Sequence, residues 1–140
     1  MTDIAMPVRE GLLVDVEQVR PGDAVCLQGS TCEDCGRMEF PGRVECPWCG
    51  GPSVPAPLGP DAVLVGFTAV LHPAPGSLVE APYDIGVARF AGGLHVMGLL
   101  LATPTDGVAL GDPIEVCAVE VPDGRLTYSF RRVERAPAMR

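Results

Sequence analysis

The chain has 140 residues, 47% of them apolar and 5% aromatic, which suits one compact domain with a small appendage and a core of Val, Leu and Ala. Ten basic residues stand against 18 acidic ones, a formal charge of −8, and this argues against nucleic acid as the main partner because phosphate binding needs a basic surface. No apolar run approaches the ~20 residues of a membrane span, and the acids in "MTDIAMPVREGLLVDVEQ" do not fit a signal peptide, so a cytoplasmic location with reduced thiols is expected.

All ten cations are Arg. Each is a planar fork suited to carboxylate or phosphate, and none can serve as a catalytic amine.

In chain order, residues 1–25 read as an N-terminal arm. Leu12, Leu13, Val14, Val16 and Val19 are apolar, while Pro7, Gly11, Pro21 and Gly22 interrupt any long helix. An extended arm or short helix this apolar must dock on the body or on a partner. Residues 26–53 hold "CEDCGRMEFPGRVECPWCG", two C-x-x-C-G pairs formed by Cys32 with Cys35 and Cys46 with Cys49. Residues 54–60, the end of a Pro-rich stretch, read as a semi-rigid linker. A body of strands follows over 61–134, and 135–140 form a tail.

The body predicts five strands. "AVLVGFTAVLH" (62–72) is rich in β-branched and aromatic residues. "YDIGVARF" (83–90) and "LHVMGLLLA" (94–102) flank the hairpin signal Ala91-Gly92-Gly93. "PIEVCAVEV" (113–121) and "RLTYSFRR" (125–132) flank Pro122-Asp123-Gly124. Alternation is clean in the last strand and blurs in 113–121, where a bulge is expected. Five strands without a full helix predict a mainly β protein with a five-stranded Greek-key barrel, the OB-fold; an open sandwich is the alternative.

Two C-x-x-C loops separated by ten residues predict a metal site with Cys32, Cys35, Cys46 and Cys49 as ligands. Zn²⁺ takes four thiolates in a tetrahedron, with iron as a variant, and four protein ligands leave no open position for substrate. Such a site is structural, in a rubredoxin-like zinc ribbon. Gly36 and Gly50 after each pair permit a left-handed turn that aims backbone N–H groups at sulfur. A thioredoxin-like dithiol at "CPWC" would have to open a helix, and Gly50-Gly51-Pro52 prevents one.

Cys117, inside a strand, is expected to be an inert buried thiol, and Cys26 is given no role. His72 and His95 lack a Cys, Ser or Asp partner at an informative spacing. There is no phosphate loop, G-x-S-x-G or G-x-G-x-x-G, so no catalytic residue is assigned. Arg125, Arg131, Arg132, Arg135 and Arg140 crowd the C-terminus, either as a solvated edge or as an anion contact. Trp48, the one Trp, sits at a knuckle tip as a contact residue or as packing on the barrel.

The order of these motifs resembles a known family. The first knuckle, "FPGR" (40–43), "CPWCG", a linker, "APYDIGVARFAGGLHVMGLL" (81–100), "VALGDPIEV" (108–116) and "LTYSFRRV" (126–133) are similar to the zinc-ribbon/OB-fold proteins catalogued as domain of unknown function 35. Gly42 stands where many members have a second Pro, and the arm is shorter than usual. The resemblance implies a zinc-binding accessory subunit of a thiolase, acyltransferase or aldolase complex acting on an acyl-CoA thioester. The catalytic residues would lie on the partner, in a heterotetramer. Arg43, Trp48, Arg131 and Arg132 are then expected to contact CoA or the partner. The rival reading is a free-standing binder of acyl-CoA or another anionic ligand.

Overall fold

A computed structural model describes residues 12–72, 75, 79, 82–101 and 109–133. Among these, the only helical element is one 3-10 turn, Val16–Gln18, and none is long and apolar enough to cross a membrane. The strands are β1 (Leu27–Cys32), β2 (Met38–Glu39), β3 (Ser53–Leu58), β4 (Asp61–Val70), β5 (Tyr83–Arg89), β6 (His95–Leu100), β7 (Pro113–Glu120) and β8 (Leu126–Arg132).

Two sheets result: an N-terminal one of order β2-β1-β3 and a closed barrel of order β4-β5-β6-β8-β7. β6 and β8 run parallel, every other barrel neighbour runs antiparallel, and β7 closes the circuit by pairing with β4. This is the OB-fold rather than the sandwich. The turns at Ala91-Gly92-Gly93 and Pro122-Asp123-Gly124 make the two expected hairpins, each closed by a backbone hydrogen bond (Gly93 N–H to Phe90 and Gly124 N–H to Val121).

The inner wall carries Leu64, Ala88, Leu100, Ile114, Val116, Leu126 and Phe130, all 3% exposed or less. Closing so small a barrel needs local bending and small residues. The bend is in β4, where the register to β5 shifts between Leu64 and Gly66. β7 has no bulge: its register to β8 runs unbroken from Ile114↔Arg132 to Glu120↔Leu126. The blurred pattern of 113–121 arises instead because Val116, Cys117 and Ala118 are all buried. Cys117 faces Ser129 across the ladder at 3.2 Å, a polar pair closed off from water.

The residues read as a linker are a strand. β3 pairs with β1 along its whole length, from Leu27↔Leu58 to Cys32↔Ser53. Pro55 and Pro57 are tolerated because β3 is an edge strand, whose outer side needs no donors. Leu58 then enters the common core at 3% exposure. Gly59, at φ +90°, turns the chain straight into β4; a Cβ there would lie 3.2 Å from both Phe90 and Val116.

The described part of the arm docks on the body. Leu12 and Leu13 are buried in the same core as Leu27 and the barrel interior, and Leu13 bridges to Leu27. Gly22 to Val25 hydrogen-bond along β7 at Val116 and Ala118, beyond the stretch Pro113–Glu115 that β4 occupies. Arg131 fixes this strap: its Nε donates to Glu115 at 2.7 Å and its Nη1 to the Gly22 carbonyl at 2.8 Å.

Phe130 is wholly buried and makes tilted ring contacts with Phe90 and Tyr128. Phe130→Ala is expected to cost about 3–5 kcal/mol in urea unfolding. Gly98→Ala, whose new methyl would meet the Tyr128 and Phe130 rings, should also destabilise, because the barrel can accept it only by displacing a ring. Wild-type stability in either variant would contradict this description of the core.

Candidate metal centre

β1 delivers Cys32 at its last position, and the chain turns at once through Cys35 and Gly36 into β2. The second turn, Cys46 to Gly50, is built alike. The Gly36 N–H donates to the Cys32 carbonyl at 3.0 Å and the Gly50 N–H to the Cys46 carbonyl at 2.9 Å. Both glycines have φ +80°, the left-handed geometry that a side chain would resist. Cys32 N–H then bonds the Arg37 carbonyl and Cys46 N–H the Gly51 carbonyl, each at 2.8 Å, closing two equivalent knuckles. The Ser53 amide bonds the Val44 carbonyl across the base of the second knuckle, and the Glu33 amide bonds the Pro52 carbonyl, which ties one knuckle to the other.

The four Sγ atoms of Cys32, Cys35, Cys46 and Cys49 lie within 4.8 Å of one another. Cys32 and Cys49 approach to 3.5 Å and Cys35 and Cys46 to 3.6 Å, so both short contacts run between knuckles. A tetrahedron with Zn–S bonds of about 2.3 Å has S···S edges of about 3.8 Å. Backbone amides donate to three of the sulfurs at 3.3–3.4 Å: Asp34 and Cys35 to Cys32, Trp48 to Cys46, and Gly51 to Cys49. Cys32 and Cys46 are buried, and Cys35 and Cys49 are exposed.

The thiols oppose one another electrostatically. Cys32 is held down to about 7, chiefly by the Cys35 amide, with burial resisting and the Asp34 amide and neighbouring thiols assisting. Cys46 also falls below the ordinary thiol value; burial resists, but the amides of Cys49 and Trp48 and the Cys35 thiol outweigh it. Cys49 is pushed up to about 12: the Gly51 amide pulls it down, yet Cys32, burial, Cys35 and Cys46 together prevail. Negative charge on one sulfur therefore keeps the proton on another, and a cation among them removes the conflict. The donor set, spacing and amide shell fit a metal ion held by these four side chains. Among the described residues, no carboxylate oxygen belongs to the cluster.

The other expected site residues are scattered. Arg43 is exposed, and its backbone N–H donates to Ser30 Oγ at 3.0 Å. Trp48 is 66% exposed, and its Nε1–H donates to Glu39 at 2.9 Å. Arg131 is engaged in the strap between Glu115 and Gly22, which occupies two of its donor groups internally. Arg132 is exposed at the end of β8. Arg125 is paired with Asp123 at 2.7 Å, and Arg135 and Arg140 lie outside the described residues.

His72 and His95 are exposed and enter no described hydrogen bond or ion pair. Cys26 Sγ lies 3.2 Å from the Gly59 carbonyl, and burial, with the charge of Asp61, raises its pKa. Arg37, which the sequence did not single out, places its guanidinium 4.8 Å from the centroid of the Trp48 ring. Only the closing of the two knuckles brings these residues together, and no spacing in the chain announces it.

Residues 56–119 match the family model described as ChsH2, C-terminal OB-fold domain. A DUF35 domain-containing scaffold protein of Methanothermobacter thermautotrophicus is 25% identical over 111 residues, covering 75% of this chain and 84% of that protein. Its namesake in Methanocaldococcus jannaschii is 27% identical over 112 residues, covering 76% and 79%. The benzoylsuccinyl-CoA thiolase subunit BbsA of Thauera aromatica is 27% identical over 124 residues, 84% of each chain. Among solved structures, the Ltp2-ChsH2(DUF35) aldolase matches with a TM-score of 0.61 at 20% identity, over 76% of this chain and 84% of that one, a likeness of fold. Motif order, barrel topology and these relatives agree in one likeness: the chain is similar to the scaffold proteins named for domain of unknown function 35, and its residues 56–119 match the OB-fold domain of that type.

Proposed function

We propose that the chain is a non-catalytic, zinc-binding subunit of a thiolase-type complex acting on an acyl-CoA thioester. The observation that carries this is the alignment with a thiolase subunit over 84% of both chains, in company with two scaffold proteins. The site chemistry supports it. Among the described residues the one cluster of metal-ligating side chains is four thiols packed against each other, three of them capped by amides, an arrangement suited to hold a metal with no position left for substrate. Both histidines are exposed and, among the described residues, enter no hydrogen bond or ion pair. The nucleophile and the acid/base groups then belong to the partner, and this chain fixes the assembly.

Zinc is the ion the donor set favours, because four thiolates in a tetrahedron suit a soft-to-borderline d¹⁰ cation with no redox role. When bound it cross-links the two knuckles and supplies no open coordination site. Structural zinc contributes on the order of 10 kcal/mol in isolated fingers, and a ribbon of ~25 residues has no core large enough to replace it.

Two outcomes are expected. Affinity purification from the native host should bring down a thiolase-like polypeptide in equal amount, and light scattering should give the mass of two copies of each chain. Recovery of the chain alone, folded and metal-loaded, would sink the subunit reading in favour of the free ligand binder. Cys46→Ser should abolish the one zinc per chain seen by elemental analysis, redden Trp48 emission and lose the partner, while the barrel keeps its strand signal in circular dichroism. A zinc-free Cys46→Ser chain that still binds the partner would refute the structural role of the cluster.

A further inference from the structure

The seam between the ribbon and the barrel is a groove of about 450 Å³ lined by Gly36, Arg37, Met38, Trp48, Leu94 and the Gly92-Gly93 turn. Its floor is apolar. Gly92 comes so close that a Cβ there would lie 2.6 Å from Met38 Sδ, and Met38 and Leu94 pack against the common core. Its wall is Trp48, which stays 66% exposed although it is the largest apolar side chain of the ribbon.

Arg37 lies across the Trp48 ring. Among the described residues its guanidinium donates no hydrogen bond and joins no ion pair. A cation stacked on an indole is held in place by the ring quadrupole while its in-plane N–H groups remain available. Trp48 is steadied in turn by Glu39 through Nε1. An exposed, fixed Trp–Arg pair over an apolar floor has the composition of an interface anchor.

The electrostatics choose the occupant. One Arg is available, Glu39 stands beside the ring, and the chain carries a formal charge of −8. A polyphosphate such as the nucleotide end of CoA would bring several negative charges to one cation and one carboxylate. A single carboxylate is matched one to one, and a planar fork takes it bidentately. We infer that this groove is a docking site for the protein partner, receiving a segment that presents one Asp or Glu to Arg37 and an adjoining apolar side chain to Trp48, Met38 and Leu94. The inference rests on the subunit reading and names the contact within it.

Trp48 is the only Trp in the chain, so a chain labelled with 5-fluorotryptophan gives one ¹⁹F resonance. The probes are the unlabelled thiolase-like polypeptide recovered with the wild-type chain and, separately, millimolar CoA. Expected on adding the polypeptide are a shift of the resonance and loss of its H₂O/D₂O isotope effect. Arg37→Gln and Trp48→Ala should each weaken the complex at least tenfold by calorimetry, with zinc content unchanged, and Arg37→Lys should weaken it less than Arg37→Gln. A complex that forms with the resonance unmoved and Arg37→Gln binding normally overturns this inference and leaves the subunit reading standing. A shift produced by CoA on the chain alone overturns it in favour of a nucleotide site. If no thiolase-like polypeptide is recovered, the subunit reading fails and the docking site with it.

Discussion

Four thiols confined within 4.8 Å are the constraint on which the ribbon depends. The amides of Asp34, Cys35, Trp48 and Gly51 favour the charged sulfurs, and the sulfurs disfavour one another. Amide dipoles alone leave the conflict in place, as the opposite displacements of Cys32 and Cys49 show. A divalent cation held by the four sulfurs would remove it, and would fix the separation of two knuckles that are otherwise joined by backbone hydrogen bonds. The sheet β2-β1-β3 is too small to do this by burial, since its two-residue strand β2 is only half-buried.

What the knuckles hold is then passed to the barrel by packing. Met38 and Phe40 leave the ribbon and lie against the barrel core, and Phe40 meets Tyr128 edge to face at 5.5 Å between centroids. Tyr128 is itself placed by its hydroxyl, which donates to the Met97 carbonyl at 2.6 Å. On the other side Leu27 and Leu58 run from β1 and β3 into the core that holds Leu64 and Phe130. The ribbon is therefore joined to the barrel by a continuous apolar core, with Gly59 as a tight covalent crossing. A partner that grips the ribbon grips the barrel with it.

Much of this was legible in the chain. The two C-x-x-C-G pairs announce their cluster because metal ligation restricts residue type and spacing together. The barrel strands show through β-branched runs and Gly-rich hairpins, which report local backbone preference. The failures have one physical cause: they concern pairings between distant segments. Val54-Pro55-Ala56-Pro57 looks like a linker, and it becomes a strand because β1 supplies an edge that Pro can accept. Residues 113–121 look bulged, and β7 is regular because neighbours bury Cys117 as well as Val116 and Ala118. The strap at Arg131 is likewise invisible locally, because Glu115 and the Gly22 carbonyl meet it from two other segments.

That contrast between arginines bears on how the surface is divided. Arg125 and Arg131 are paired within the chain, with Asp123 and Glu115, and so stabilise a turn and a strap. Arg37 differs in being held by an aromatic face, which orients a guanidinium without consuming its donors. In a chain of net charge −8, the stacking orients this cation beside a Trp that stays 66% exposed. An exposed aromatic–cation pair on the seam between the cysteine knuckles and the Gly92-Gly93 hairpin is the arrangement the proposed docking site builds on.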